Sequence, residues 1–123
     1  LMSIAYMQVA FSNLETTESY MGQDTGRYSV VGTLDDENAE SLASQGVKLK
    51  DYEGAAQRKF ASKFKVRVID AEGNPFIGEI PRGSKIKLSY KTGDAHPVHG
   101  TPTYLNAIRV LELAEDTAFD DEL

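Results

Sequence analysis

The chain has 123 residues, enough for one domain with a core of its own, and it contains no cysteine. The composition therefore excludes a disulfide framework and a thiolate zinc site, and no apolar stretch approaches the roughly 18 residues that span a membrane. The net charge of −6 conceals a segregated pattern: residues 48–91 hold eleven bases and five acids, whereas residues 112–123 hold six acids and no base. Clustered bases suggest a polyanionic partner.

Strand patterns dominate the first part of the chain. Residues 3–11 form a β-rich run, and the polar residues 12–26 that follow predict a long loop. A second strand is predicted over residues 27–34, where apolar side chains alternate. Gly32 interrupts this second strand, which predicts a bulge or a sharp bend at that point.

A short helix is predicted over residues 35–46. Asp35 or Asp36 can cap its first turn, and Gly46 can end it in the left-handed conformation that glycine adopts freely. Residues 47–57 show no clear period and are interpreted as a connection.

The second half of the chain predicts three more strands. Over residues 58–70 the side chains alternate, with Phe60, Ser62, Phe64, Val66 and Val68 on one side and Lys59, Lys63, Lys65 and Arg67 on the other. Residues 85–91 alternate in the same way, with their apolar side chains facing inward. After a loop rich in glycine and proline, residues 104–113 predict the last strand.

Five strands and a short helix favour a mainly β fold, a five-stranded antiparallel barrel of the oligonucleotide-binding (OB-fold) class. The long loops of that class lie between strands one and two and between strands four and five, which is where this chain has them. The short helix is expected after the second strand. We predict an OB-fold domain over residues 2–111 and an acidic C-terminal tail over residues 112–123.

Basic side chains give the strongest functional signal. The predicted phosphate contacts are Lys63, Lys65, Arg67, Arg82, Lys85, Lys87 and Lys91, most of them outward-facing on two strands expected to be neighbours. Such a ladder of cations can follow a nucleic-acid backbone, and its affinity would fall with salt. Alternating lysines can also serve only to keep a β-surface in water, and the lysines alone do not separate these two explanations.

Aromatic side chains in or beside the loops are a second indication of nucleic-acid binding, because bases stack on aromatic rings with little sequence preference. The stacking candidates are Tyr20, Tyr52, Phe76, His96, His99 and Tyr104. The other aromatic side chains before the tail are assigned to the core: Tyr6, Phe11, Tyr28, Phe60, Phe64 and Tyr90. The two histidines resemble half a zinc site that nothing completes, so neither a metal nor another cofactor is predicted.

The acidic tail allows two interpretations. Terminal acids commonly serve solubility. Beside a basic groove they can instead occupy the groove until DNA displaces them, and an apolar ring among them can anchor a protein partner. The tail residues concerned are Glu115, Asp116, Phe119, Asp120, Asp121 and Glu122. The sequence contains no nucleophile motif and no phosphate-binding glycine-rich motif, so no enzymatic activity is predicted.

Several stretches, in this order, resemble single-stranded DNA-binding proteins of tailed bacteriophages of the T-seven type. They are "GRYSV" and "KDYEG" on either side of the helix, then "KFKVRVIDAEGNPFIGEIPRGSKIKLSYK" and "YLNAIRVLELAE" running into the acids. The resemblance covers nearly the whole chain and implies an OB-fold barrel that coats single strands during phage DNA replication, recombination and repair. It also implies that Lys63, Lys65, Arg67, Lys85 and Lys87 line or flank the groove.

The same resemblance implies that the acidic tail contacts the phage DNA polymerase and helicase-primase and competes with DNA. The expected location is the cytoplasm of the infected bacterial host, with no membrane attachment, and whether the protein forms a homodimer is left open. Two alternatives remain. A protein-interaction barrel whose basic face binds an acidic partner would show no salt-sensitive oligonucleotide binding, and a small nuclease would require a divalent metal.

Overall fold

Five long strands carry the fold in the computed structural model, which describes residues 2–114. They are β1 (Ser3–Asn13), β4 (Tyr28–Leu34), β6 (Ala55–Ser62), β8 (Lys85–Thr92) and β9 (Thr103–Glu112). The short strands are β2 (Ser19–Tyr20), β3 (Gln23–Asp24), β5 (Lys50–Tyr52) and β7 (Arg67–Ile69), and the helix α1 spans Asp36–Ser44.

The long strands close into a ring in the order β1, β4, β6, β9, β8 and back to β1. β1 pairs with β8 through its first half and with β4 through its second half, antiparallel in both cases. β6 and β9 close the ring as a parallel pair at Ala61 and Tyr104. The mainly β fold is confirmed. Four of the five pairings around the ring are antiparallel, as predicted, and the parallel pair of β6 and β9 is the exception, because an odd number of strands cannot alternate in direction around a closed ring.

The core fills the inside of this ring. The inward side chains predicted for β8, Ile86, Leu88 and Tyr90, are at most 1% exposed. The ring of Phe60 on β6 is also fully buried, and its centroid lies 5.2 Å from that of Tyr90. Leu42 of α1 is buried with them. The alternation of the sequence therefore predicts this part of the core correctly.

The pairing of β1 with β4 is irregular at Gly32, as the sequence predicts. The register shifts in β1 between Val9 and Phe11, which face Gly32 and Val31 of β4. A Cβ atom at Gly32 would lie 2.7 Å from the carbonyl oxygen of Gln8, so glycine is needed for the two strands to approach this closely.

The helix follows the second long strand, as predicted. The carboxylate of Asp35 accepts a hydrogen bond from the backbone N–H of Asn38 at 2.8 Å, which caps the first turn and lowers the pKa of Asp35. The helix ends at Ser44, and Gly46 follows with a φ of +84°. No helix within residues 2–114 combines the length and the apolar character that crossing a membrane requires.

The prediction of one continuous strand over residues 58–70 is wrong. The hydroxyl of Ser62 accepts a hydrogen bond from the backbone N–H of Phe64 at 3.0 Å, a local bond that replaces the sheet pairing and ends β6. Pairing resumes only at β7, which runs parallel to β9 along the edge of β9 opposite to β8. The side chain of Phe64, assigned to the core, is consequently 79% exposed.

Three more expectations require correction. Tyr6 and Phe11 on β1 were assigned to the core, but they point outward and are 46% and 60% exposed. The residues expected to form a plain connection contain a hairpin of β5 and β6, turned by Glu53 and Gly54, both with positive φ.

The tail residues Glu115, Asp116, Phe119, Asp120, Asp121 and Glu122 all lie outside the described residues. The last strand ends at Glu112, and the backbone N–H of Ala114 donates to the hydroxyl of Ser84 at 2.9 Å. The division into a domain over residues 2–111 and a tail over residues 112–123 therefore stays a prediction.

Candidate nucleic-acid interface

A cleft of about 730 Å³ lies where β6 and β9 meet in parallel. Lys91 at the end of β8 and Met2 just before β1 contribute to it, together with Lys63 and Phe64 of the irregular segment after β6. The lining residues are Met2, Arg27, Arg58, Lys59, Ala61, Ser62, Lys63, Phe64, Lys91, Pro102, Thr103, Tyr104, Leu105 and Asn106.

The charged side chains that line this cleft are basic. Its lining includes five bases and, within the described part of the chain, no acid; the bases are Arg27, Arg58, Lys59, Lys63 and Lys91. A concave surface lined by cations focuses the positive potential and attracts anions. Lys59 is partly neutralised from outside the lining, since its ammonium lies 3.1 Å from the carboxylate of Glu18.

Two exposed rings also line the cleft. Tyr104 at the start of β9 is 55% exposed, and Phe64 after β6 is 79% exposed. The loop after β8 fits closely around Tyr104: a Cβ atom at Gly93 would lie 2.9 Å from Cε2 of that ring. Both rings present apolar faces next to cations, which is the combination that single-stranded nucleic acids bind.

The loop over residues 14–27, which contains the β2–β3 hairpin, is fixed beside the cleft by carboxylates. Glu79 accepts hydrogen bonds from the backbone N–H groups of Leu14 and Glu15 at 2.7 and 2.9 Å. The hydroxyl of Ser29 donates to Glu18 at 2.9 Å, and Lys59 donates to the same carboxylate. Each contact ties this loop to a long strand or to the segment after β7.

These contacts also shift two pKa values. The backbone N–H of Gly78 and the charge of Lys65 lower the pKa of Glu15. Burial works against ionisation of Glu18, but the hydrogen bonds from Ser29 and Lys59 together outweigh it and lower its pKa. Both carboxylates are therefore held in the charged form that the loop contacts require.

Of the predicted phosphate contacts, Lys63 and Lys91 line the cleft. Lys65 turns away to the loop: its ammonium lies 3.5 Å from the carboxylate of Glu15 and 5.7 Å from the ring centroid of Tyr28. Because the segment after Ser62 is irregular, its cations do not form an alternating row, and Lys63 and Lys65 point to different surroundings.

The other predicted contacts lie elsewhere. Lys85 and Lys87 occupy the far end of β8, and Arg82 is exposed in the preceding turn. Arg67 is exposed at the start of β7. The expected ladder across two neighbouring strands is wrong, because β9 lies between β7 and β8.

The remaining stacking candidates do not line the cleft. Tyr20 is 71% exposed in the β2–β3 hairpin, Tyr52 is 49% exposed beside the β5–β6 turn, and Phe76 packs against the core. His96 and His99 stack on each other with ring centroids 4.8 Å apart. No group of three metal-ligating side chains occurs among residues 2–114.

The sequence-based prediction missed Arg27, Arg58, Lys59 and Phe64 as members of one site. Arg58 had a detectable signal, because it is two residues from Phe60 and so shares the inward side of its strand. No signal in the sequence identified Phe64. Its side chain is exposed because β6 ends at Ser62, where the Ser62 hydroxyl accepts a hydrogen bond from the backbone N–H of Phe64.

No protein-family model matches the sequence, and no curated protein matches it. Solved structures with a similar fold include single-stranded DNA-binding proteins of bacteriophages, as the sequence resemblance predicted. The protein from bacteriophage Enc34, solved in complex with single-stranded DNA, has a TM-score of 0.70 at 11% identity, over 93% of this chain and 88% of that chain. The protein encoded by bacteriophage T7 has a TM-score of 0.60 at 17% identity, over 100% of this chain and 96% of that chain. At these identities the similarity establishes the fold.

Proposed function

We propose that this protein binds single-stranded DNA without sequence preference, in the cleft between β6 and β9. The observation that carries the proposal is the lining of that cleft, which combines five bases with two exposed rings and contains no acid in the part of the chain that the structure describes. Cations that follow the phosphates and rings that stack bases are the two elements of such binding. The closed ring of strands is interpreted as an OB-fold barrel.

The shared fold supports this proposal, because a protein with the same fold was solved with single-stranded DNA. Its setting is phage DNA replication, with roles in recombination and repair, in the cytoplasm of the infected host. The protein acts as a coat on the strand and is assigned no catalytic step.

The acidic residues 112–123 complete the proposal as an electrostatic competitor of DNA and as the contact for the phage DNA polymerase and helicase-primase. The support is the charge pattern alone: six acids follow a domain with a basic cleft. Competition of this kind weakens with salt, since exposed charges are screened over about 10 Å at 0.1 M.

Fluorescence anisotropy with a labelled oligo-dT of about 20 nucleotides tests the proposal. The full chain and a version ending at Ala114 are titrated at low and moderate salt, with duplex DNA as the competitor. We expect salt-sensitive binding of the single strand, poor competition by duplex, and tighter binding without the five acids of residues 115–123, most clearly at low salt. Absence of binding by both versions would favour an interaction with an acidic protein, and metal-dependent cleavage of the oligonucleotide would favour a nuclease.

A further inference from the structure

Arg58 places a charge where a core residue is expected. It precedes Phe60 by two positions on β6, so both side chains leave the strand on the inner side of the ring. Phe60 is completely buried, and Arg58 is partly buried and lines the cleft. Charged side chains are rare on the inner side of a sheet unless they are paired.

The guanidinium of Arg58 has hydrogen-bond partners but no counter-ion. Nη1 donates to the carbonyl oxygen of Lys48 at 3.0 Å, and Nη2 donates to the hydroxyl of Thr103 at 2.9 Å. The Nε atom is buried and has no partner within residues 2–114, and no carboxylate of these residues forms an ion pair with the side chain. Three of the five N–H groups of the guanidinium therefore remain without a described acceptor.

An uncompensated cation in this position costs free energy, because burial removes water without supplying an opposite charge. The same desolvation lowers the pKa of Arg58. A role limited to bonding a carbonyl and a hydroxyl needs donors but no charge. Four other bases line the same cleft, and they raise the local positive potential further instead of relieving it.

We propose that Arg58 is the residue that receives a phosphodiester phosphate at the floor of the cleft, through the free N–H groups of its two Nη atoms. The proposal rests on the proposed function and specifies how the strand lies. The phosphate sits between β6 and β9, where Arg58 is fixed by Lys48 and Thr103, and the bases point toward the exposed rings of Phe64 and Tyr104 at the rim.

Oligo-dT titrations of variants at several salt concentrations test this assignment. Arg58→Met keeps the apolar stem and removes the charge, and we expect its affinity to fall about tenfold or more, as for a lost charged hydrogen bond. The slope of the logarithm of its binding constant against the logarithm of the salt concentration (the salt slope) should shrink in magnitude by about 0.7, the value for one phosphate on a single strand. Arg58→Lys should keep the slope and lose part of the affinity, because it retains the charge without the planar fork.

Arg109→Met is the matched control, since Arg109 is also half-buried and bonds a carbonyl, that of Ala71, but lies at the far end of β9. We expect its affinity and slope to match those of the wild type. A purely structural role of Arg58 predicts a lower melting temperature for Arg58→Met with an unchanged slope. That result would overturn the assignment while leaving the proposed function intact, whereas failure of the wild type to bind would refute the proposed function itself.

The wild-type protein provides a readout that does not depend on the folding of a variant. In a ¹H–¹⁵N spectrum the Nε–H signal of Arg58, identified by its loss in Arg58→Lys, should shift on addition of oligo-dT. Inorganic phosphate at matched ionic strength should shift the same signal in the same direction. No shift with oligo-dT, under conditions in which anisotropy shows saturation, would contradict the assignment.

Discussion

The two ends of the β8–β9 pair both carry cations, but they differ in what surrounds them. At the near end Lys91 faces Tyr104 across the strands, and both line a concave cleft. At the far end Lys85 lies 3.8 Å from the carboxylate of Glu112, and Lys87 lies 6.0 Å from the ring centroid of Tyr6. From Tyr104 to Glu112 the strand extends roughly 27 Å, so the two ends are separate surfaces.

This difference shows that clustering of charge along the sequence is not clustering in space. Lys85, Lys87 and Lys91 alternate on one strand and look equivalent in the sequence. Only Lys91 reaches the cleft, where bases from β6 and from the loop before β4 join it. Local concentration of cations on a concave surface, rather than their number on a strand, selects the near end as the binding surface.

The largest expected effect concerns the rings of the near end. Replacing Phe64 and Tyr104 together with alanine should weaken oligo-dT binding by about 1–3 kcal/mol for each stacked base that is lost. The reason is that both rings are exposed at the cleft and have no packing role comparable to that of Phe60. Anisotropy at fixed salt measures the effect.

Tyr6→Ala is the control for this double variant, because Tyr6 is a similarly exposed ring at the far end of the sheet. Its affinity should match the wild type. A loss for Tyr6→Ala equal to that of the double variant would remove the distinction between the two ends.

The next effect concerns charge. Changing Lys63 and Lys91 together to glutamine should reduce the magnitude of the salt slope by about 1.4, or about 0.7 for each phosphate contact. The slope is taken from affinities at four or more salt concentrations, so it is independent of small changes in stability.

Lys85→Gln with Lys87→Gln makes the same change of charge at the far end. We expect a clearly smaller change in slope, since these lysines act on the cleft only through the screened long-range field. If this pair changed the slope as much as the near-end pair, the strand would extend over both ends of the β8–β9 pair.

A smaller effect is expected from the carboxylates. Glu18→Gln should lower the stability by about 1 kcal/mol, because the side chain is only 12% exposed and accepts bonds from Ser29 and Lys59. Glu112→Gln should change the stability by less than about 0.5 kcal/mol, since its ion pair with Lys85 is exposed on both sides. Urea unfolding measures the free energy of unfolding of both variants. Equal losses would contradict the expected difference between Glu18 and Glu112.

The smallest effect depends on pH. A carboxylate whose pKa is lowered in the folded state stabilises the fold above its ordinary pKa of 4.5, and this contribution is lost as the pH falls through the lowered value. Glu15 and Glu18 should therefore titrate below 4.5, and the loop over residues 14–27 should loosen only below that pH. NMR titration of the side-chain carboxyl carbons measures both midpoints, and midpoints at or above 4.5 would contradict the contacts.

Much of the fold could be predicted because alternation reports directly on burial. The inward positions of β8 and the cap and end of the helix at Asp35 and Gly46 depend on local chemistry that is visible in the sequence. Alternation fails where a strand ends without a break in its pattern. After Ser62 the period of two continues in the sequence, while one hydroxyl bond turns the chain out of the sheet.

The candidate site was less predictable, because it forms between segments distant in sequence. Lys63, Lys91 and Tyr104 are candidates from the sequence that line the cleft, but nothing local in the sequence brings them together with Arg27 or Arg58. Their proximity follows from the parallel closure of the ring between β6 and β9. That closure depends on the number of strands and their order, and not on any single motif.

Chemical-shift mapping of the amide signals with oligo-dT tests most directly which end binds the strand. The account predicts the largest shifts at Arg58, Lys63, Phe64 and Tyr104, and small shifts at the far end of β8 and β9. The largest shifts at Lys85, Lys87 and Arg109 instead would contradict the central claim, and would place the strand on the outer face of the sheet.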